Sequence, residues 1–147
     1  MHDVSFVPQL LGKPWISGAR GPDSFDCWGV LFWIYSEHLR ISVPEYPGID
    51  ASNAGLTETL MTEAAEGDGW IALDAPMHVC TVTMSRTDRV GHVGMFLDVD
   101  GGLVLHCQRG VGVVIHSISD LKHLLRFSQL GWFRPVNMPV ALSLHSR

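Results

Sequence analysis

Three residues of this 147-residue chain can do nucleophilic chemistry together: the thiol Cys27 and the imidazoles His92 and His106. A thiol attacks only as its thiolate, and a free cysteine is mostly protonated at neutral pH. A helix N-terminus, whose partial positive charge favours an anion, corrects this, and so does an adjacent imidazole that takes the proton. Cys27 follows Asp23, Ser24 and Asp26, all good N-cap residues, so it falls in the first turn of an expected helix. Backbone N–H groups of that turn are also placed to help hold an oxyanion. His92 comes 65 residues later in a strand-like segment, between Gly91 and Val93-Gly94, where small neighbours permit close approach. His106 lies 14 residues further, across the turn signal Asp100-Gly101-Gly102. In this arrangement His92 is the base, and His106 orients it and steadies the imidazolium. Reflection about a turn centred near Gly101 sets His92 opposite roughly position 110, so contact with His106 requires a diagonal neighbour, a different turn or a bulge. By type and spacing alone, the same residues also fit a buried structural thiol and two ordinary strand histidines.

The elements that must position these groups can be read from periodicity. The first 22 residues are rich in Gly and Pro and read as an ordered loop. A helix is expected from Cys27 to about Arg40, with Val30, Leu31, Ile34 and His38 on one face, ended by Pro44 and Pro47. A second helix spans 55–66 and stops at Gly67-Asp68-Gly69. The signal then alternates with period two. Strands are expected at 78–85, 89–99, 103–108 and 111–116, with a short helix at 118–127 and a last strand at 131–135. Helices first and an antiparallel meander after make the class α+β.

Bulk composition narrows the function. Apolar residues make up 46% and charged residues 17%, which suits one globular domain, taken as residues 1–147 with a core about 10–136, and argues against disorder. The net charge is −5 with no basic run, so a nucleic-acid partner is not expected. The start MHDVSFVPQLLGKPW lacks the pattern of a secretory signal, and the longest apolar run, Trp28–Tyr35, is too short to span a bilayer, so no membrane insertion is expected. Three cysteines read as reduced thiols rather than a disulfide framework, with Cys107 in the core. His78, Cys80, His92, His106 and Cys107 include no Cys-x-x-Cys pair, and neither a metal nor another cofactor is expected. His38, His116 and His123 read as surface residues, and His145 as part of a tail.

The stretch GKPWISGARGPDSFDCWGV (12–30) resembles the nucleophile region of the NlpC/P60 family, which typically reads Pro-Tyr, a Gly-rich loop, then Phe-Asp-Cys-Ser-Gly. GHVGMFLD (91–98) resembles that family's His-Val-Gly base strand, and Val104-Leu105-His106 the following strand that ends in its third polar residue. The resemblance covers roughly residues 10–136. It implies a papain-like fold, a Cys-bearing helix packed on an antiparallel sheet, with Cys27 as nucleophile, His92 as base and His106 as orienter. It implies cleavage of cell-wall stem peptides near γ-D-glutamyl bonds. It also implies that Trp15, Asp26 and Trp28 stand where the family shapes its stem-peptide pocket, although Trp replaces the usual Tyr at 15 and the usual Ser at 28. The Gly-Asp-Leu segment usual before the base strand is not matched by residues 67–80. The Cys-Trp-Gly variant is most similar to phage tail-associated members. These imply a protein made in the cytoplasm and carried in a tail, with peptidoglycan stem peptide as substrate and tail-tip proteins as partners. Two other readings stay open: a non-catalytic tail-assembly or wall-binding module on the same fold, and a thiol acyltransferase or amidase acting on another substrate.

Overall fold

The structure, a computed structural model, describes residues 2–47, 54–86 and 89–139. A single helical turn, α1 (Val7–Leu10), precedes a loop laced to the segment just before the thiol: Phe25 donates to Pro14 O at 3.1 Å, Ile16 to Phe25 O at 3.0 Å, and Asp26 to Ala19 O at 3.1 Å. The loop expected to be ordered is held this way despite having almost no regular structure.

Helix α2 (Cys27–Trp33) starts where the cap residues placed it. Asp26 has extended backbone, and its Oδ1 accepts from Gly29 N at 2.7 Å. The same carboxylate accepts from Arg20 Nη1 at 2.9 Å and from Gly18 N at 3.0 Å, so one buried side chain caps the helix and clamps the loop. Gly29 is required there: a Cβ would stand well inside contact distance of the Ala19 carbonyl. Val30, Leu31 and Ile34 are fully buried, as their spacing indicated. The helix does not reach Arg40 as an α-helix. It continues as a π-helical turn over Ile34–His38, with Leu39 N–H donating to Ile34 O at 2.9 Å, and the chain reverses at Arg40 with φ of 58°.

Helix α3 (Ala54–Ala65) agrees with the second expected helix to within one residue. Then come β1 (Trp70–Leu73), β2 (Thr81–Arg86), β3 (Arg89–Leu97), β4 (Leu103–Gln108), β5 (Gly112–Ser117), α4 (Ile118–His123) and β6 (Gln129–Pro135). The described strands make one six-stranded antiparallel sheet in the order β1-β6-β2-β3-β4-β5, with α2 packed on β3 and β4, an α+β fold. Helix α4 is shorter than expected; Ser117 caps it by accepting from Asp120 N at 3.1 Å. Strand β1 was not expected.

Residues 78–80, read as strand, form a turn with Val79 at φ 60°. Three partners hold it. Tyr35 Oη donates to Val79 O at 2.7 Å, His78 Nδ1 accepts from Asp98 N at 3.1 Å, and His78 Nε2 then donates to Asp3 O at 3.0 Å. A hydrophobic cluster covers each face of the sheet. One joins α2 and α3 to Val93, Met95, Leu105, Cys107 and Val113. The other gathers Val82, Met84, Phe96, Val104, Leu121 and Phe127.

Asp26→Ala removes the cap, the loop clamp and the partner of a largely buried guanidinium together. Thermal or urea unfolding should show a loss of about 2–4 kcal/mol, well beyond a surface substitution. A loss under about 0.5 kcal/mol would mean the clamp carries no weight.

Candidate active site

Antiparallel partners share a face of the sheet. Met84 is directly opposite His92, and Val104 is directly opposite His116. His106 follows Val104 by two residues on β4. All three imidazoles therefore project from the face that carries Met84 and Val104. The β3–β4 ladder pairs Met95 with Leu105 and Leu97 with Leu103. Carried on by the same count, it sets His106 opposite Gly94, with His92 two residues beyond. The two rings are diagonal neighbours, and His92 Nε2 lies 3.0 Å from His106 Nδ1 in a hydrogen bond. Gly94 makes this spacing possible, because a Cβ there would collide with Val104 and the Leu105 carbonyl.

Cys27 meets these rings at a cleft of about 390 Å³. The thiol comes from the first turn of α2, His92 and Gly91 from β3, and His106 and Gln108 from β4. Trp15, Arg86, Arg109 and Phe127 complete the lining. Cys27 belongs to the cluster packed under α2, whereas Phe127, against which His92 stacks at 5.8 Å and 11°, belongs to the cluster on the other face. The cleft is thus a seam between the two cores.

Electrostatics distinguish the three thiols. Burial pushes Cys80 and Cys107 up to about 12, and Cys107 donates from Sγ to Phe25 O at 3.3 Å in the core, as expected of it. Both are poor nucleophiles at neutral pH. Cys27 alone of the three lines the cleft, at a helix start that favours an anion. His92 is pushed down to about 4, first by burial and then by the positive charge of Arg86. It is therefore neutral at neutral pH and able to accept a proton. His106 is pushed down to about 2 by burial, with smaller contributions from the flanking rings, and stays neutral too.

The sequence-derived site residues have different fates. Cys27, His92, His106 and Trp15 come together. Asp26 does not line the cleft: its carboxylate is committed to Gly29, Arg20 and Gly18 behind the thiol. Trp28 is 1% exposed, donates from Nε1 to Pro44 O at 3.0 Å, and packs on Tyr46 and Trp70, a core role in place of the expected pocket wall. His116 corrects the surface reading most sharply, since its Nδ1 lies 2.8 Å from His106 Nε2. The register arithmetic that allows His92 to meet His106 also allows this pair, ten residues apart across the next turn. His38 is half-buried, and Asp3 Oδ2 lies 2.9 Å from its Nε2.

The cleft also contains residues that sequence reasoning did not single out. Arg86 lies 4.3 Å over the Phe127 ring and donates from Nε and Nη2 to Leu125 O at 3.1 and 2.9 Å. Arg109 lies 4.7 Å over the Trp15 ring. Both guanidinium side chains line the cleft, and among the described residues neither has an ion-pair partner. No run or motif marks them in the sequence; only the ends of β2 and β4 bring them here. Among the described residues no group of three or more His, Cys, Asp or Glu side chains is arranged to hold a metal ion, and no helix is long and apolar enough to cross a membrane.

No curated protein matches the sequence. Residues 12–127 match the model of the NlpC/P60 family, which comprises cell-wall peptidases and amidases. That span runs from the loop carrying Trp15 to Phe127 at the cleft wall, so it holds every residue lining the cleft; the chain belongs to the NlpC/P60 family.

Proposed function

We propose that the protein is a thiol hydrolase that cleaves an amide bond of peptidoglycan stem peptides near γ-D-glutamyl linkages. The observation that carries this reading is the meeting of Cys27 with the hydrogen-bonded pair His92–His106 in one cleft. With Nε2 of His92 engaged by His106, Nδ1 is the nitrogen that serves the thiol. His92 takes the Cys27 proton as sulfur attacks the scissile carbonyl, and backbone N–H groups at the start of α2 face the oxyanion. Collapse expels the amine, which His92 protonates, leaving an acyl-enzyme. Water, deprotonated by His92, then releases the acid and restores the thiol. His106 holds the His92 ring throughout.

The two arginines support a substrate bearing carboxylates, because a γ-linked glutamyl residue keeps its α-carboxylate free beside the bond to be cut. The Cys-Trp-Gly variant supports a phage-tail setting, in which the protein is made in the cytoplasm, built into a tail next to tail-tip proteins, and opens the wall during penetration.

Purified peptidoglycan digested with the native chain should release stem-peptide fragments, and Cys27→Ala should release none by mass spectrometry. Fragments that persist with the alanine variant sink the thiol mechanism. Transpeptidated products in place of hydrolysed ones would make the enzyme an acyltransferase.

Arg109→Ala should raise KM about tenfold for a stem peptide with a free glutamyl carboxylate, with little change for its amidated analogue. Equal effects on both substrates would remove Arg109 from carboxylate recognition.

Activity requires neutral His92, so kcat/KM should hold from neutral pH to about pH 5 and fall as the pH drops through about 4. Arg86→Gln removes a charge that opposes the imidazolium, which raises the His92 pKa and moves this limb to higher pH; Arg86→Lys should leave it in place. A limb unmoved in Arg86→Gln contradicts the electrostatic assignment.

A further inference from the structure

A neutral imidazole has one N–H and one lone pair. Placed between two other imidazoles, it can donate to only one of them. His106 is in that position, with Nδ1 3.0 Å from His92 Nε2 and Nε2 2.8 Å from His116 Nδ1. It is fully buried, and burial keeps it neutral. The three rings come from neighbouring strands β3, β4 and β5 and step diagonally across the sheet, each two residues along from the last.

Such a row has two polarities. In one, the protons point toward the cleft: His116 Nδ1–H donates to His106 Nε2, and His106 Nδ1–H donates to His92 Nε2. The single proton of His92 is then on Nδ1, where it faces the thiol as a donor, and the ring is useless as a base. In the other, every proton points away. His92 Nε2–H donates to His106 Nδ1, His106 Nε2–H donates to His116 Nδ1, and Nδ1 of His92 presents a lone pair to the sulfur. The choice is made at the end of the row. His116 stands half-buried on β5, the edge strand of the sheet. An edge position gives Nε2 access to water, so the ring can keep its proton there, in the tautomer free histidine favours, and accept at Nδ1.

We propose that His116 is a positioning residue that fixes the polarity of the three-imidazole row, so that His92 meets Cys27 as a base. Its catalytic meaning rests on the thiol-hydrolase reading, whereas the polarity is a property of the resting protein. The family-like pair His92–His106 does not by itself choose between the polarities; the third ring does.

Two measurements test this. The first is ¹⁵N NMR of histidine-labelled native protein at neutral pH, which reports the protonated nitrogen of each ring. The expected result is Nε2–H on His92, His106 and His116; Nδ1–H on His106 overturns the proposal. The second is the rate at which iodoacetamide alkylates Cys27, mapped by mass spectrometry, in His116→Phe and His116→Asn. Phe keeps a ring without an acceptor, while the Asn Oδ1 stands near the lost Nδ1. His116→Phe should slow alkylation about tenfold or more, and Asn should stay within about threefold of native. A folded His116→Phe that alkylates at the native rate overturns the proposal. If that variant does not fold, the native spectrum and the Asn variant still decide. A native Cys27 no faster than a free cysteine, with peptidoglycan uncut, defeats the hydrolase reading instead, and the spectrum continues to test the polarity.

Discussion

The carboxylate of Asp26 connects the thiol to the rest of the molecule. It is the last residue before Cys27, and its two oxygens reach a helix amide, a loop amide and a guanidinium, all from a buried position. Each contact satisfies a polar group: an N–H at the start of α2, the N–H of Gly18, and the guanidinium of Arg20, which Glu45 also approaches at 3.8 Å. Because these contacts converge on one side chain, the direction of α2, the path of the loop that brings Trp15 over the cleft, and the location of the sulfur are set together. Gly29 is part of the same constraint, since any side chain there would push the loop off the helix.

The opposite wall follows from sheet register. Strands β3, β4 and β5 bring three imidazoles into a row, and burial holds the inner rings neutral. The α2 terminus favours negative charge at the sulfur, while Arg86 disfavours positive charge on His92. The cleft therefore offers the sulfur a helix end that favours an anion and a neutral imidazole ready to take its proton.

Much of this was legible in the residues. The caps before Cys27, the helical spacing of Val30, Leu31 and Ile34, and the glycine turn at 100–102 are local signals, and local hydrogen bonding obeys them. The His92–His106 contact could be stated as a diagonal neighbour because strand pairing is nearly arithmetic. What escaped depends on contacts distant in sequence. The turn at 78–80 looks like strand until Tyr35 and Asp98 claim its backbone and ring. Trp28, beside the thiol in sequence, points into the core because successive helix positions diverge by about 100°. His116 closes an ordinary β-branched run, Val113-Val114-Ile115, and only the β4–β5 register turns it toward His106.

A cleft on a seam has walls that are packed independently. The thiol wall is tied to the cluster beneath α2, and the Phe127 wall to the cluster across the sheet. A substitution near Phe127 or Leu121 can be absorbed by repacking its own cluster without displacing the sulfur. Because His92 stacks on Phe127, such a change reaches the base while the sulfur stays in place, so thiol and base inherit their positions from different cores.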